Sequence, residues 1–280
     1  MHKNPLISVI VTTFNRKEFL KKTLNSILSQ TYSNLEILVI DDGSSDNTHS
    51  VVEKFSDNRL QFHTIKHSGR PAVPRNYGIK KSKGNFIAFC DDDDIWEADK
   101  ISLQIKAFQD NPSIKLCYTN SSYIDENDLV LSFPYNSSKD KITTFKDQLY
   151  QNKVTFSSLM IHRDVVQAGH YFDERLSLKA SEDFLFITKI VAKYPIYYLN
   201  LPLIKYRVHQ NGISHNRTNI KKLVIYYFRL TRCFYNLLKE DYISIIKFFH
   251  LSCYHFIQVN KQISYLLLQR FKTFLRNANV

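Results

Sequence analysis

Residues 86–94 read Phe-Ile-Ala-Phe-Cys followed by four aspartates, and this junction limits what the chain can fold into. Like charges at that spacing repel unless a cation or hydrogen bonds offset them. The apolar run before them reads as a strand, so the carboxylates belong just past its end. Three other short β-branched runs, 6–11, 36–40 and 60–65, also read as strands. Between them the spacing turns helical: over 16–30, Leu20, Leu24, Ile27 and Leu28 fall on one face, and weaker stripes occupy 46–55 and 72–81. Strands and helices in alternation predict an α/β fold, a mostly parallel Rossmann-like sheet flanked by helices.

Ligands of such sheets collect beyond the carboxyl ends of the strands. Three of those loops are polar: Thr12-Thr13-Phe14-Asn15-Arg16, Asp41-Asp42-Gly43-Ser44-Ser45-Asp46 and Asp91-Asp92-Asp93-Asp94. All three are expected to open on one crevice. Carboxylate oxygens there suit magnesium or manganese, and magnesium is usually held by one or two carboxylates together with substrate phosphates. An acidic run taken alone is more often a solvated turn. Its position beside two other polar loops favours the ion.

From about residue 114 the pattern becomes mixed. Strands are expected over 116–119, 129–133, 155–162, 196–199 and 203–209, with helices near Phe145 and over 182–193. A chain of 280 residues, 44% hydrophobic, suffices for one large domain with an appendage. The net charge of +12 is uneven, since residues 217–280 hold eleven Lys or Arg against Glu240 and Asp241. Cys90, Cys117, Cys233 and Cys253 are too scattered for a zinc knuckle or a disulfide framework, which suits a reducing compartment. The apolar run near the N-terminus is too short for a secretory signal.

Several ordered motifs are similar to those of the inverting glycosyltransferases of family 2, which have the GT-A nucleotide-sugar-binding fold. They are Ser8 through Arg16, Gln30-Thr31-Tyr32, Asp41 through Asp46, Arg75-Asn76-Tyr77-Gly78, Lys83 through Trp96, Glu182-Asp183 and Tyr206-Arg207-Val208-His209. The resemblance spans roughly residues 5–215. It implies a GT-A domain over 1–215, with a nucleotide-binding half over about 1–112 and an acceptor half over about 113–215, and a basic aromatic helical tail over 216–280.

Carried over by position, the resemblance implies that Thr12, Phe14 and Asp42 surround the nucleoside. Phe14 would offer a ring face and Asp42 would accept a base N–H. The alternative for Asp42 is a turn or a helix cap before Thr48. The family's Asp-x-Asp motif maps to Asp91-Asp92-Asp93. Asp91 and Asp93 would be the metal ligands for Mn2+ or Mg2+, with Asp92 near the ribose or phosphate. Arg75 resembles an arginine facing the nucleotide, and His209 a position beside the diphosphate or metal. Asp183 resembles the base that takes the proton from the acceptor hydroxyl; the alternative is that Ser181 caps a helix whose dipole the two acids complement. Pro74 and Ala98 depart from the usual family pattern.

The expected activity is therefore a metal-dependent, inverting hexosyl or N-acetylhexosaminyl transfer. The donor would be a UDP-sugar and the acceptor a lipid-linked glycan in surface-polysaccharide synthesis. A non-catalytic nucleotide-sugar sensor is the competing reading. Lys and Arg mixed with Phe, Tyr and Leu in the tail fit peripheral attachment to an anionic membrane surface on the cytoplasmic side. The alternative is packing against the domain or a partner subunit, with an oligomer formed through these helices. No nucleic-acid-binding motif is found.

Overall fold

The computed structural model describes residues 4–132, 139–150, 152–209 and 220–278. Strand β1 (Ile7–Thr13) is buried along nearly its whole length, as a strand covered on both faces must be. It lies between β2 (Leu35–Asp41) and β4 (Phe86–Asp91), parallel to both, and β3 (Leu60–Thr64) continues the parallel set beyond β2. Alternate side chains point to opposite faces. On one face Val9, Val11, Val39 and Ala88 meet Leu20, Leu24 and Ile27 of α1 (Lys17–Leu28). On the other, Ile10, Leu38 and Phe89 share a core with Ile79 of α3 (Ala72–Lys81). A short α2 (Thr48–Val52) links β2 to β3.

Beyond β4 come a two-residue β5 (Ile95–Trp96) and α4 (Lys100–Asp110), then β6 (Leu116–Ile124), β7 (Val130–Ser132), β8 (Lys141–Thr143) and α5 (Phe145–Tyr150). The chain continues through β9 (Met160–His162), α6 (Asp164–Gln167), α7 (Glu182–Val191) and β10 (Ile196–Arg207). The sheet runs β3-β2-β1-β4-β9-β6-β10-β5, with β7 against β6 and β8 against β10. Its first four strands are parallel, and β9 joins β4 and β6 antiparallel to each. This is the mostly parallel α/β fold expected.

Two expectations change in detail. Residues 155–162 do not form one strand: Phe156–Ser158 is a 3-10 turn, in which the Ser158 hydroxyl donates to the Thr155 carbonyl at 2.6 Å. The runs expected over 196–199 and 203–209 merge into one strand, β10, which ends at Arg207 and is broken only by register shifts around Pro202, which has no N–H for the ladder. The chain divides into two compact units, residues 1–208 and 209–280. The boundary expected at 215 falls outside the described residues. Among the described residues the second unit holds two helices, α8 (Ile220–Lys239) and α9 (Ile245–Ala278).

Candidate active site

Parallel register sets Thr12 of β1 opposite Asp91 of β4, and Thr13 opposite Asp41 of β2. The three polar loops therefore leave the sheet side by side. Helix α3 lies close against β1 because Gly78 has no Cβ; one built there would sit 2.6 Å from Ile10 Cγ2. That proximity carries Arg75 to the strand ends. Pro74 falls in the first turn of α3, where a backbone N–H lacks a helical acceptor anyway, so the helix runs through it undisturbed.

Each aspartate of the run meets different partners. Asp91 Oδ1 accepts Arg75 Nη2 at 2.9 Å. Asp92 accepts Arg16 Nη1 at 3.1 Å and the Phe14 amide at 3.3 Å, and Asp93 Oδ2 accepts the same Arg16 nitrogen at 2.7 Å. Asp94 is wholly buried, receives the Ser157 hydroxyl, and accepts the Arg207 amide at 2.9 Å. Guanidinium groups and backbone donors thus absorb much of the repulsion. Burial and then Asp93 push the Asp92 carboxyl up to about 7, against the pull of Arg16. Burial, with Asp93 and Asp91, lifts Asp94 well above the usual carboxylate range, and burial raises Asp91 in spite of Arg75.

Arg75 joins the aspartate loop to the start of α7. Its Nη1 donates to Glu182 Oε1 at 2.9 Å, and the guanidinium lies 3.8 Å from the centre of the Phe156 ring. Burial works against the charged guanidinium, yet Asp91 and Glu182 more than offset it and raise its pKa. Asp183, the next residue, is half-buried, and its Oδ1 accepts the Phe184 amide at 2.8 Å. It is close enough to Arg75 to act on its charge. Ser181 makes no side-chain cap; its hydroxyl donates to the Leu178 carbonyl at 2.9 Å. Both acids nonetheless sit in the first turn of α7, where they complement its dipole.

Phe14 is 39% exposed and stacks on His67, ring centroids 4.1 Å apart and planes at 22°. Asp42 is buried, accepts the Ser68 and Gly69 amides at 2.9 and 3.0 Å, and lies 3.1 Å from His67 Nδ1. It makes no bond to the start of α2, where Asp46 accepts the Thr48 amide at 3.2 Å. Thr12 is half-buried at the end of β1. His209 is buried two residues past β10, at the start of the second unit.

Three residues gain importance only from the structure. His67, shared by Phe14 and Asp42, lies beyond the end of β3, so the strand-end rule could have found it. Arg16 stood inside a quoted motif without a role. Arg207 has a fully buried side chain that donates to the Asp93 carbonyl at 2.8 Å and the Asp125 carbonyl at 2.7 Å, and pairs with Asp128 at 2.6 Å. Nothing in its spacing signals that convergence.

Among the described residues, no group of three or more His, Cys, Asp or Glu is arranged to hold a metal ion. Asp91 and Asp93, two hard carboxylates that act on each other electrostatically, do fit an ion whose shell is completed by diphosphate oxygens.

Comparison with known proteins bears on the family and the fold. The model of Glycosyl transferase family 2 matches residues 8–167. A relative from Escherichia coli, the UDP-Glc:alpha-D-GlcNAc-diphosphoundecaprenol beta-1,3-glucosyltransferase WfgD, is 32% identical over 220 residues, covering 76% of this chain and 81% of its own length. Among solved structures, Staphylococcus aureus TarS 1–349 superposes with a TM-score of 0.67 at 20% identity, covering 89% of this chain and 70% of that one. The Pyrobaculum calidifontis mannosyltransferase PcManGT, in complex with GDP-Man and Mn2+, gives 0.64 at 16% identity over 95% and 74%.

Proposed function

The chain belongs to glycosyl transferase family 2 and is a glycosyltransferase of GT-A fold, and from that premise we propose that it transfers a hexosyl or N-acetylhexosaminyl group from a UDP-sugar to a hydroxyl of a lipid-linked glycan, with inversion. The observation that carries the reading is the Arg75 bridge, one buried guanidinium between Asp91 at the end of β4 and Glu182 beside Asp183. It fixes a donor-side carboxylate and an acceptor-side acid in one rigid constellation. Such positioning lowers the entropic part of a transfer barrier.

Within that constellation the residues divide the work. Phe14 and Asp42, with Thr12 beside them, receive the nucleoside. Glu182 is buried and spent on Arg75, so the half-buried Asp183 is the acid left to take the acceptor proton. Asp91 and Asp93 would hold a divalent cation, Mn2+ or Mg2+, which supplies Lewis-acid charge at the departing diphosphate. Asp92 lies near the ribose or phosphate. The acceptor oxygen attacks the anomeric carbon from the face opposite the leaving group, which inverts the configuration.

The donor and acceptor classes take support from the name of the Escherichia coli relative, which specifies UDP-Glc and a diphosphoundecaprenol-linked GlcNAc. No helix among the described residues is long and apolar enough to cross a membrane. We assign the enzyme to surface-polysaccharide synthesis as a peripheral protein of the cytoplasmic membrane face. Within the first unit we place a donor half over about residues 1–112 and an acceptor half from about residue 113 onward, with the second unit as the appendage.

Asp183→Asn tests the assignment. A lost general base is expected to lower turnover by roughly 10²- to 10⁴-fold while UDP binding, read by calorimetry, stays unchanged. Unchanged turnover with donor and acceptor supplied would remove Asp183 from the chemistry, whereas UDP binding without any turnover by the parent chain would return the sensor reading.

A further inference from the structure

The second unit carries a surface that sugar transfer leaves unused. Helices α8 and α9 pack on each other, Phe234 meeting His255 at 5.2 Å between ring centroids, and Leu251 and Val259 of α9 are buried. Another side of α9 is bare. Ile246 is 79% exposed, and Phe249, Phe256, Ile257, Leu267 and Leu268 are each more than half exposed. Stepping along α9 by three or four residues, from 246 through 249, 253, 256, 260 and 264 to 267, every position is exposed and uncharged. At 1.5 Å per residue this stripe is about 30 Å long; it carries Ile246, Phe249, Phe256 and Leu267 with Asn260 and Ser264 between the last two, and exposed apolar side chains grouped in this way mark an interaction site.

Charge selects the occupant. Residues 242–280 contain Lys247, Lys261, Arg270, Lys272 and Arg276 and no Asp or Glu. Two copies meeting along α9 would bring together helices of one sign, with no acid on either to answer the bases. A bilayer bearing anionic headgroups meets both requirements, its acyl boundary taking the apolar stripe and its headgroups the Lys and Arg. The helix is not apolar enough to cross, so it would lie in the plane of the interface.

We infer that α9 is an in-plane anchor that docks on an anionic lipid surface through the stripe from Ile246 to Leu268. The inference deepens the lipid-linked acceptor reading and rests on it for its purpose, not for its geometry. Anchoring brings the enzyme to the two-dimensional surface that holds its acceptor.

The test is flotation of the full chain with vesicles of phosphatidylcholine mixed with phosphatidylglycerol, and with phosphatidylcholine alone. The chain is expected to float with the mixed vesicles and far less with the neutral ones. A triple variant, Phe249→Gln, Ile257→Gln and Leu268→Gln, alters outward positions only. It is expected to keep its circular dichroism and to lose at least about tenfold in partition. Equal flotation of variant and parent overturns the inference, as does failure of the parent to float. A concentration-dependent dimer in sedimentation that the variant dissolves, without vesicle binding, also overturns it by making the face an interface between copies. UDP binding is measured on the same samples, so a failed transferase reading and a failed docking surface give different results.

Discussion

Lys100 sits at the start of α4, wholly buried, its ammonium donating to Gln104 Oε1 at 2.8 Å and lying 3.8 Å from the centre of the Trp96 ring. Burial pushes its pKa down from 10.5 to about 7. An unfolded chain keeps this proton up to about 10.5, whereas the folded one releases it near 7. Between those values unfolding takes up a proton, so stability rises with pH by about 1.4 kcal/mol per unit. Over the whole interval that is roughly 5 kcal/mol, fully present as a cost at pH 7 and below. Lys100→Met keeps the length of the side chain without the charge. The variant is expected to exceed the parent in stability most at pH 6.5, less whatever the Gln104 bond and the ring contact contribute, about 1–2 kcal/mol. That advantage should shrink by about 3 kcal/mol between pH 7.5 and 9.5. Urea unfolding followed by the fluorescence of Trp96, the only tryptophan, measures both proteins in the same buffers, which cancels other titrating groups. A difference that stays flat across this range, or widens with pH, refutes the reasoning.

Other consequences are narrower. Arg75→Lys removes a fork that reaches Asp91 and Glu182 at once, leaving one buried carboxylate without its partner; a loss of about 3–5 kcal/mol in denaturant unfolding is expected. Gly84→Ala places a Cβ 2.5 Å from the Ser8 amide nitrogen, a backbone atom that cannot turn aside, and calorimetric unfolding should show at least about 1–3 kcal/mol of destabilisation. Arg16→Gln withdraws the cation now resting on Asp92 and Asp93. Manganese binding without nucleotide, read by electron paramagnetic resonance, should tighten about tenfold, and weaker binding would make Arg16 a support of the site instead of a competitor.

The first strands and the polar loops at their ends were legible because their signals are local. Apolar runs ending at Val11, Ile40 and Cys90 announce strands, and polar residues directly after them announce a crevice, with no knowledge of tertiary contacts required. Residues whose roles depend on distant partners stayed hidden. Arg16 meets Asp92 across 76 positions, and the Arg207 amide meets Asp94 across 113; neither pairing leaves a periodic trace. The same holds for the turn at Phe156–Ser158, where β-branched and aromatic neighbours suggest a strand but the serine hydroxyls are committed to Asp94 and to the backbone. Helix α4 carries Ile101, Ile105 and Phe108 at helical spacing and all are buried, a signal the charged residues around it obscured.

The central claim is that the end of β4, together with Phe14 and Asp42, receives a nucleotide sugar through its diphosphate. A crystal structure of the chain grown with UDP and Mn2+ addresses it directly. The account predicts an anomalous manganese peak against the carboxylates of Asp91 and Asp93, displaced Arg16 contacts, and the uracil against Phe14. A diphosphate bound away from β4, or a nucleoside with no contact to Phe14 or Asp42, contradicts it.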